Sequence, residues 1–204
     1  MSRVGAYSIA ILAGYLLGSI PVAVLVARRR DLDPRAAGDR NPGYWNVKAL
    51  LGPRAALPVF IGDSAKGALA GLAGVASAHA FGGGRPVVYL AVAAAMVGHA
   101  WPVFARFSGG RSVLTFAGGM AVISPVTFAV CVALCGAVSV GTRRFAYGAR
   151  AGVFAVPLVQ AVVDAPRWAA ATFGLMSIIG LRFLLAWRGS SGPSTRGPVA
   201  GPPG

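Results

Sequence analysis

Val4–Arg30 reads VGAYSIAILAGYLLGSIPVAVLVARRR. Residues 4–27 carry no charge. A run of that length suffices to span a bilayer, which takes roughly 20 apolar residues. A cleaved signal peptide would have a shorter apolar core. Its core would be followed by a small-residue cleavage site, not by Arg28-Arg29-Arg30. The run is therefore expected to be a retained first membrane helix.

The rest of the chain agrees. Its 204 residues are 56% hydrophobic, and the mean hydropathy is +0.68. That is too apolar for an ordinary soluble domain. The net charge of +14 raises the possibility of nucleic-acid binding. The basic residues, however, sit at the ends of apolar spans and not along one polar face, so no nucleic acid is expected as partner. The acidic residues are Asp31, Asp33, Asp39, Asp63 and Asp164, with no Glu. His79 and His99 are far apart in the chain, without nearby Cys or Glu, which gives no metal signature. Cys131 and Cys135 stand i,i+4 in an apolar run and read as packing residues. No cofactor is implied.

Further apolar spans fall at about 55–79, 87–105, 112–140, 150–163 and 168–187. Residues 28–54 carry Arg28, Arg29, Arg30, Arg35, Arg40, Lys48 and Arg54, which marks that segment as cytoplasmic. The N-terminus and Arg85 are then outside, and residues 106–111 inside. Segment 112–140 is long for one crossing and short for two. A pair turning near Pro125 places Arg143, Arg144, Arg150 and Arg188 inside. The expected fold is an all-α polytopic transmembrane bundle of seven helices, N-terminus out and C-terminus in. Five helices, with 150–163 failing to cross, is the alternative. Residues 1–188 are expected to form one membrane domain. Residues 189–204, GSSGPSTRGPVAGPPG, have no apolar face to bury and are expected to be a disordered tail.

Three polar blocks interrupt the apolar sequence. Gly38–Gly52 reads GDRNPGYWNVKALLG, with a turn signal at Asn41-Pro42-Gly43. Arg40 and Lys48 are candidate anion contacts, and Asn41 and Asn46 candidate polar pocket groups. The plainer reading is a basic loop on anionic headgroups with an aromatic anchor. In the second block, Gly62–Gly67 (GDSAKG), Asp63 and Lys66 are i,i+3 and can pair on one helix face. Ionisable groups inside a membrane tend to face one another or a cavity, so both are expected to point inward.

Gly98–Ser112, GHAWPVFARFSGGRS, forms the third block. Gly109 and Gly110 allow close backbone approach and can offer N–H groups to a phosphate. Arg106 and Arg111 would neutralise it. Ser112 and Thr115 could complete the nest at a helix N-terminus. His99 is a candidate base or donor, with a backbone carbonyl partner at the helix end as the structural reading. There is no His-x4-Asp, GxSxG elbow or P-loop.

Gly18-Ser19-Ile20-Pro21 followed by these three blocks, in this order, resembles the bacterial PlsY family of acyl-phosphate:glycerol-3-phosphate acyltransferases. The resemblance runs from about residue 10 to 120. It implies transfer of an acyl chain from acyl phosphate to glycerol 3-phosphate, giving lysophosphatidic acid in phospholipid synthesis. It also implies a multi-pass protein of the bacterial inner membrane, with its motifs on the cytoplasmic side and no metal or cofactor. On the family's first motif, GSGNxGATNVxR, Gly38, Asn41, Gly43 and Asn46 match. Asp39 stands at the serine, Arg40 at the next glycine, Tyr44-Trp45 at Ala-Thr and Ala49 at the arginine. On GGKGVAT, Arg111 stands at the lysine and Ser112 at the third glycine. The family's last motif, a His and an Asn before a basic stretch, has no counterpart in Ile179–Arg188, whose polar side chains are Arg182 and Arg188.

The resemblance makes Arg111, Lys48 and Asn46 the candidate catalytic residues. Gly109, Gly110, Ser112, Thr115, Asn41, Gly43, Arg40, Asp63, Lys66 and His99 are the candidate substrate-binding residues. A non-catalytic paralogue that binds a phospholipid or a membrane partner is the alternative. A transporter is a weaker third reading, since Asp63 and Lys66 are few for an ion path.

Overall fold

The computed structural model describes residues 3–190, whose regular structure is entirely helical. The first apolar run is broken and not continuous as expected. α1 (Arg3–Gly18) stops before Ser19-Ile20-Pro21, and α2 (Val22–Arg28) resumes it. Pro21 lacks the N–H that would carry the helical ladder across this point. The two pieces together still form an apolar segment of 26 residues, long enough to cross a membrane.

α3 (Tyr44–Leu51) lies in the basic segment, and α4 (Pro53–Phe81) carries the GDSAKG block. α5 (Arg85–Ala100) runs into a single 3₁₀ turn at Val103–Ala105. The ambiguous 112–140 segment is two helices, α6 (Val113–Ile123) and α7 (Pro125–Thr142), divided at Ser124-Pro125. α8 (Phe145–Val163) starts at Phe145 and not at 150. Its 19 residues are long and apolar enough to cross a membrane. α9 (Pro166–Ser190) extends two residues into the expected tail. Residues 191–204, where most of that tail falls, lie outside the described residues.

Among the described residues, six segments are long and apolar enough to span a bilayer. α6 is too short to do so alone. Its 11 residues rise about 16 Å, roughly half a hydrocarbon core.

Small residues bring the helix backbones together, as in membrane bundles generally. A Cβ at Gly67 would strike the Thr115 carbonyl, and one at Gly118 the Ser64 carbonyl, so α4 and α6 cross in near backbone contact. α1 and α5 do the same through Gly14, Gly18 and Gly98. Around these crossings pack Val92, Met96, Phe116 and Met120, all buried. Cys131 and Cys135 are free thiols on the face of α7 that meets Gly148 and Gly152 of α8. This is the packing role read from their spacing. The outer surfaces carry exposed apolar side chains such as Val132, Phe154, Leu158 and Phe173.

The two ends of the bundle differ. At one end Arg85 pairs with Asp164 (3.0 Å), donates to the Ile123 carbonyl (2.8 Å) and lies over the Trp168 ring. Just inside it, Gln160, Tyr89 and Thr172 form a buried hydrogen-bonded cluster joining α8, α5 and α9. The other end gathers the arginine-rich segments. There the Trp45 and Phe145 rings meet, Asp39 meets Arg111, and Arg182 meets Gly110.

The α4–α6 crossing is directly testable. Gly118→Val should cost about 1–3 kcal/mol through overpacking and lower the melting temperature of the detergent-solubilised protein. Gly136→Ala, where a Cβ meets open space on α7, should leave the melting temperature unchanged or raise it.

Candidate phosphate-binding cleft

Asp63 and Lys66 sit one helical turn apart on α4, 2% and 4% exposed, with Nζ 2.9 Å from the carboxylate. Both face inward, as the cost of buried charge requires. Lys66 also donates to the Ile20 carbonyl (3.2 Å), at the break before Pro21. His99, near the end of α5, places Nδ1 3.6 Å from Asp63. Its imidazole therefore faces the carboxylate and not a backbone carbonyl. The hydroxyls of Ser19 and Thr115 are buried nearby in the bundle without hydrogen-bond partners.

The glycine loop is strapped against His99. The Gly110 N–H donates to the His99 carbonyl (3.0 Å). A Cβ at Gly109 would strike that same carbonyl, and one at Gly110 would strike Nε2 of the imidazole. Only glycine lets the backbone pass this close. Arg182 of α9 then grips the loop from the other side, with Nε to the Gly110 carbonyl (3.0 Å) and a terminal nitrogen to the Gly109 carbonyl (2.6 Å). Its guanidinium lies over the Trp101 ring. The expected nest is thus modified, because the Gly110 N–H is already used.

Among the described residues, the N–H groups of Gly109, Arg111 and Ser112 make no hydrogen bond, and further donors stand at the head of α6. The first backbone bond of that helix runs from Phe116 N–H to the Ser112 carbonyl. The N–H groups of Val113, Leu114 and Thr115 precede it, in the position that favours an anion. The Ser112 hydroxyl is spent on the Met96 carbonyl (2.7 Å), which leaves its backbone N–H as the donor it can offer an anion. Thr115 is fully buried in the α4–α6 interface. Arg106 is exposed.

The basic segment is held by its own side chains. The Asn46 amide donates to the Pro34 and Ala37 carbonyls (2.8 and 3.0 Å), and its oxygen accepts the Asp39 N–H (3.2 Å). That amide is used up in shaping the loop, so Asn46 acts on the site through the loop and not by direct contact. Gly38 is required beside it: φ is +62°, and a Cβ would meet the Asn46 oxygen. Arg35 hydrogen-bonds Asp33 through two nitrogens and reaches the Ala105 carbonyl (3.3 Å), tying this segment to the 3₁₀ turn. The Arg35 hydrogen bond holds the Asp33 carboxyl down at about 2, so this tie is unaffected by pH near neutrality.

Gly43 caps α3 in extended conformation. The Asn41 N–H bonds the Asp39 carboxylate (3.1 Å). Lys48 does not reach the cleft, because its ammonium lies 5.0 Å from the Trp45 ring centroid and 5.9 Å from that of Tyr44 on its own helix. Arg40 is exposed. The cation that neutralises Asp39 is Arg111 (3.2 Å) and not the adjacent Arg40.

Ile20, Pro42, Asp63, Lys66, His99 and Gly110 line one narrow cleft with room for about a single water molecule, about 10 Å³. The second and third sequence blocks meet at this cleft, with Pro42 of the first block at its edge. Arg182 went unassigned in the sequence, although a cation embedded in an apolar span is itself a signal.

The buried pair gives a stability test. Lys66→Met removes the ammonium that pairs with the Asp63 carboxylate, at a cost of about 3–5 kcal/mol. The Asp63→Leu/Lys66→Met double variant should recover much of that loss in thermal unfolding.

The chain is similar to known proteins in both sequence and fold. A family model described as Glycerol-3-phosphate acyltransferase matches residues 8–191. The glycerol-3-phosphate acyltransferase of Neisseria meningitidis is 34% identical over 176 residues, covering 85% of this chain and 88% of that one. The Rubrobacter xylanophilus enzyme of the same name is 43% identical over 115 residues. That match spans only a little over half the relative's own length, 56% of each chain. Among solved structures, the crystal structure of PlsY (YgiH), an integral membrane glycerol 3-phosphate acyltransferase in its glycerol 3-phosphate form, superposes with a TM-score of 0.77 at 25% identity. The superposition covers 90% of this chain and 91% of that one. By its family match and its full-length relatives, the chain belongs to the glycerol-3-phosphate acyltransferase family.

Proposed function

We propose that the chain transfers an acyl group from acyl phosphate to a hydroxyl of glycerol 3-phosphate, releasing lysophosphatidic acid and inorganic phosphate for phospholipid synthesis. The observation that carries this reading is the glycine loop. It is clamped between His99 and Arg182, and presents Arg111 and the head of α6 beside the cleft that holds Lys66. Family membership supports it. So does the ligand of the superposed PlsY structure, glycerol 3-phosphate.

Both substrates are phosphate anions, and the donor is already activated. The site then needs to bind two phosphates and orient one hydroxyl, which is catalysis by positioning. Arg111 and the N–H groups at residues 113–115 oppose the charge that grows on the departing phosphate. The attacking hydroxyl bonds to the acyl carbon, the acyl–phosphate bond breaks, and the hydroxyl proton ends on the released phosphate. Lys66 supplies a second fixed cation, and Asp63 and His99 hold it in place.

The basic end of the bundle faces the cytoplasm of a bacterial inner membrane on this reading, by the excess of arginine there. With α1–α2 counted as one crossing, and the half-length α6 together with the glycine loop before it as another that pairs with α7, the chain crosses seven times, N-terminus out and C-terminus in. Acyl phosphate then approaches from the bilayer and glycerol 3-phosphate from the cytoplasm.

Purified protein incubated with acyl phosphate and glycerol 3-phosphate should release lysophosphatidic acid. Arg111→Ala should lower that rate by about 10²-fold or more, the scale on which anion-stabilising groups act. A wild-type protein that binds phosphate yet forms no product would overturn the enzyme reading in favour of a binding protein.

A further inference from the structure

We propose that Asp39 is an internal stand-in for the substrate phosphate: its carboxylate latches Arg111 across the cleft until an anion displaces it. The inference rests on the proposed phosphate role of Arg111. Two chain segments form the lips of the cleft, one carrying Pro42 and the other Ser108, Gly109 and Gly110. The Asp39–Arg111 ion pair joins these same segments, at 3.2 Å between Oδ2 and a terminal guanidinium nitrogen. The cleft between these lips has room for about one water molecule, about 10 Å³.

The Arg111 end of the latch is incompletely satisfied. Its Nε is buried and has no hydrogen-bond partner, so one edge of the guanidinium fork stands unused. A phosphate, with three oxygens, can take Nε and a terminal nitrogen together, which a singly bonded Asp39 does not. Packing holds the guanidinium in place whichever anion it carries, because Phe183 of α9 lies beneath it with its centroid 4.6 Å away.

The Asp39 end is built to release. Its side chain is 46% exposed, and its other oxygen caps the Asn41 N–H. The backbone N–H of Asp39 is fixed by Asn46. The carboxylate can thus leave Arg111 without the loop unfolding. Asp39 is therefore an affinity-setting residue, which competes with the substrate anion and takes no part in bond making.

The test is a gain of affinity, which misfolding cannot imitate. Asp39→Asn keeps the Asn41 cap and removes the competing charge. It should lower KM for the phosphate substrates about threefold to fivefold, the scale of a partly exposed ion pair, with kcat within about twofold. In an Arg111→Gln background the same change should have no effect on affinity.

Inorganic phosphate provides the second readout, as the concentration that half-maximally raises the melting temperature. Asp39→Asn and Asp39→Ser should each lower it. This readout separates the latch from the acyltransferase assignment: tighter phosphate binding in a protein without acyl transfer upholds the latch alone. An unchanged or raised phosphate midpoint in Asp39→Asn and Asp39→Ser, or an equal gain in the Arg111→Gln background, overturns it.

Discussion

One ammonium group organises this bundle. Lys66 Nζ is buried among apolar helices, where it pairs with the Asp63 carboxylate and donates to the Ile20 carbonyl. A lone charge at that depth would be prohibitively costly. The break in the first helix turns the Ile20 carbonyl, which also accepts the Val22 N–H (3.0 Å), toward the lysine as a second acceptor. Through Asp63 the arrangement extends to His99, and through the His99 carbonyl to the glycine loop. A helix interruption, an ion pair and the glycine loop thereby become one unit, with members between α1 and α2, on α4 and α5, and in the loop before α6.

Much of the architecture was legible in the sequence because bilayer physics is unforgiving. Uncharged runs, arginine at their ends and a proline inside an overlong run are coarse signals. They located every long helix and the division at Ser124-Pro125. The break at Pro21 was missed because hydropathy does not register the loss of one N–H. α8 begins earlier than expected because Arg150 was counted as a boundary, whereas a guanidinium can sit one turn inside a helix near the membrane surface.

The site was legible in its residue types but less so in its contacts. Asp63 and Lys66 follow from spacing, since i,i+3 charges in an apolar helix have few alternatives to pairing. Ser112 and Lys48 were candidates by type, and the structure occupies their side chains elsewhere, with a backbone carbonyl and with two aromatic rings. Asn46 was a polar residue in the right loop, and geometry makes it the core of that loop. Arg182 reaches the glycine loop from a helix more than seventy positions away in the chain, a relation that no local pattern encodes. The same holds for Asp39 and Arg111, which depart separately from the family pattern and meet only in the folded protein.

The brevity of α6 has a consequence for where chemistry takes place. Its neighbour α4 has 29 residues, and Lys66 lies well inside it, about 20 Å from its start at 1.5 Å per residue. α6 begins beside that point and not at the end of α4, so the glycine loop is countersunk below the rim of the bundle. On the proposed reading, that depth is where a lipid-tailed donor changes from hydrocarbon to headgroup. The short helix then acts as a depth stop. It holds the phosphate cradle at the level of the scissile bond, so that the tail need not leave the bilayer for its headgroup to be exchanged.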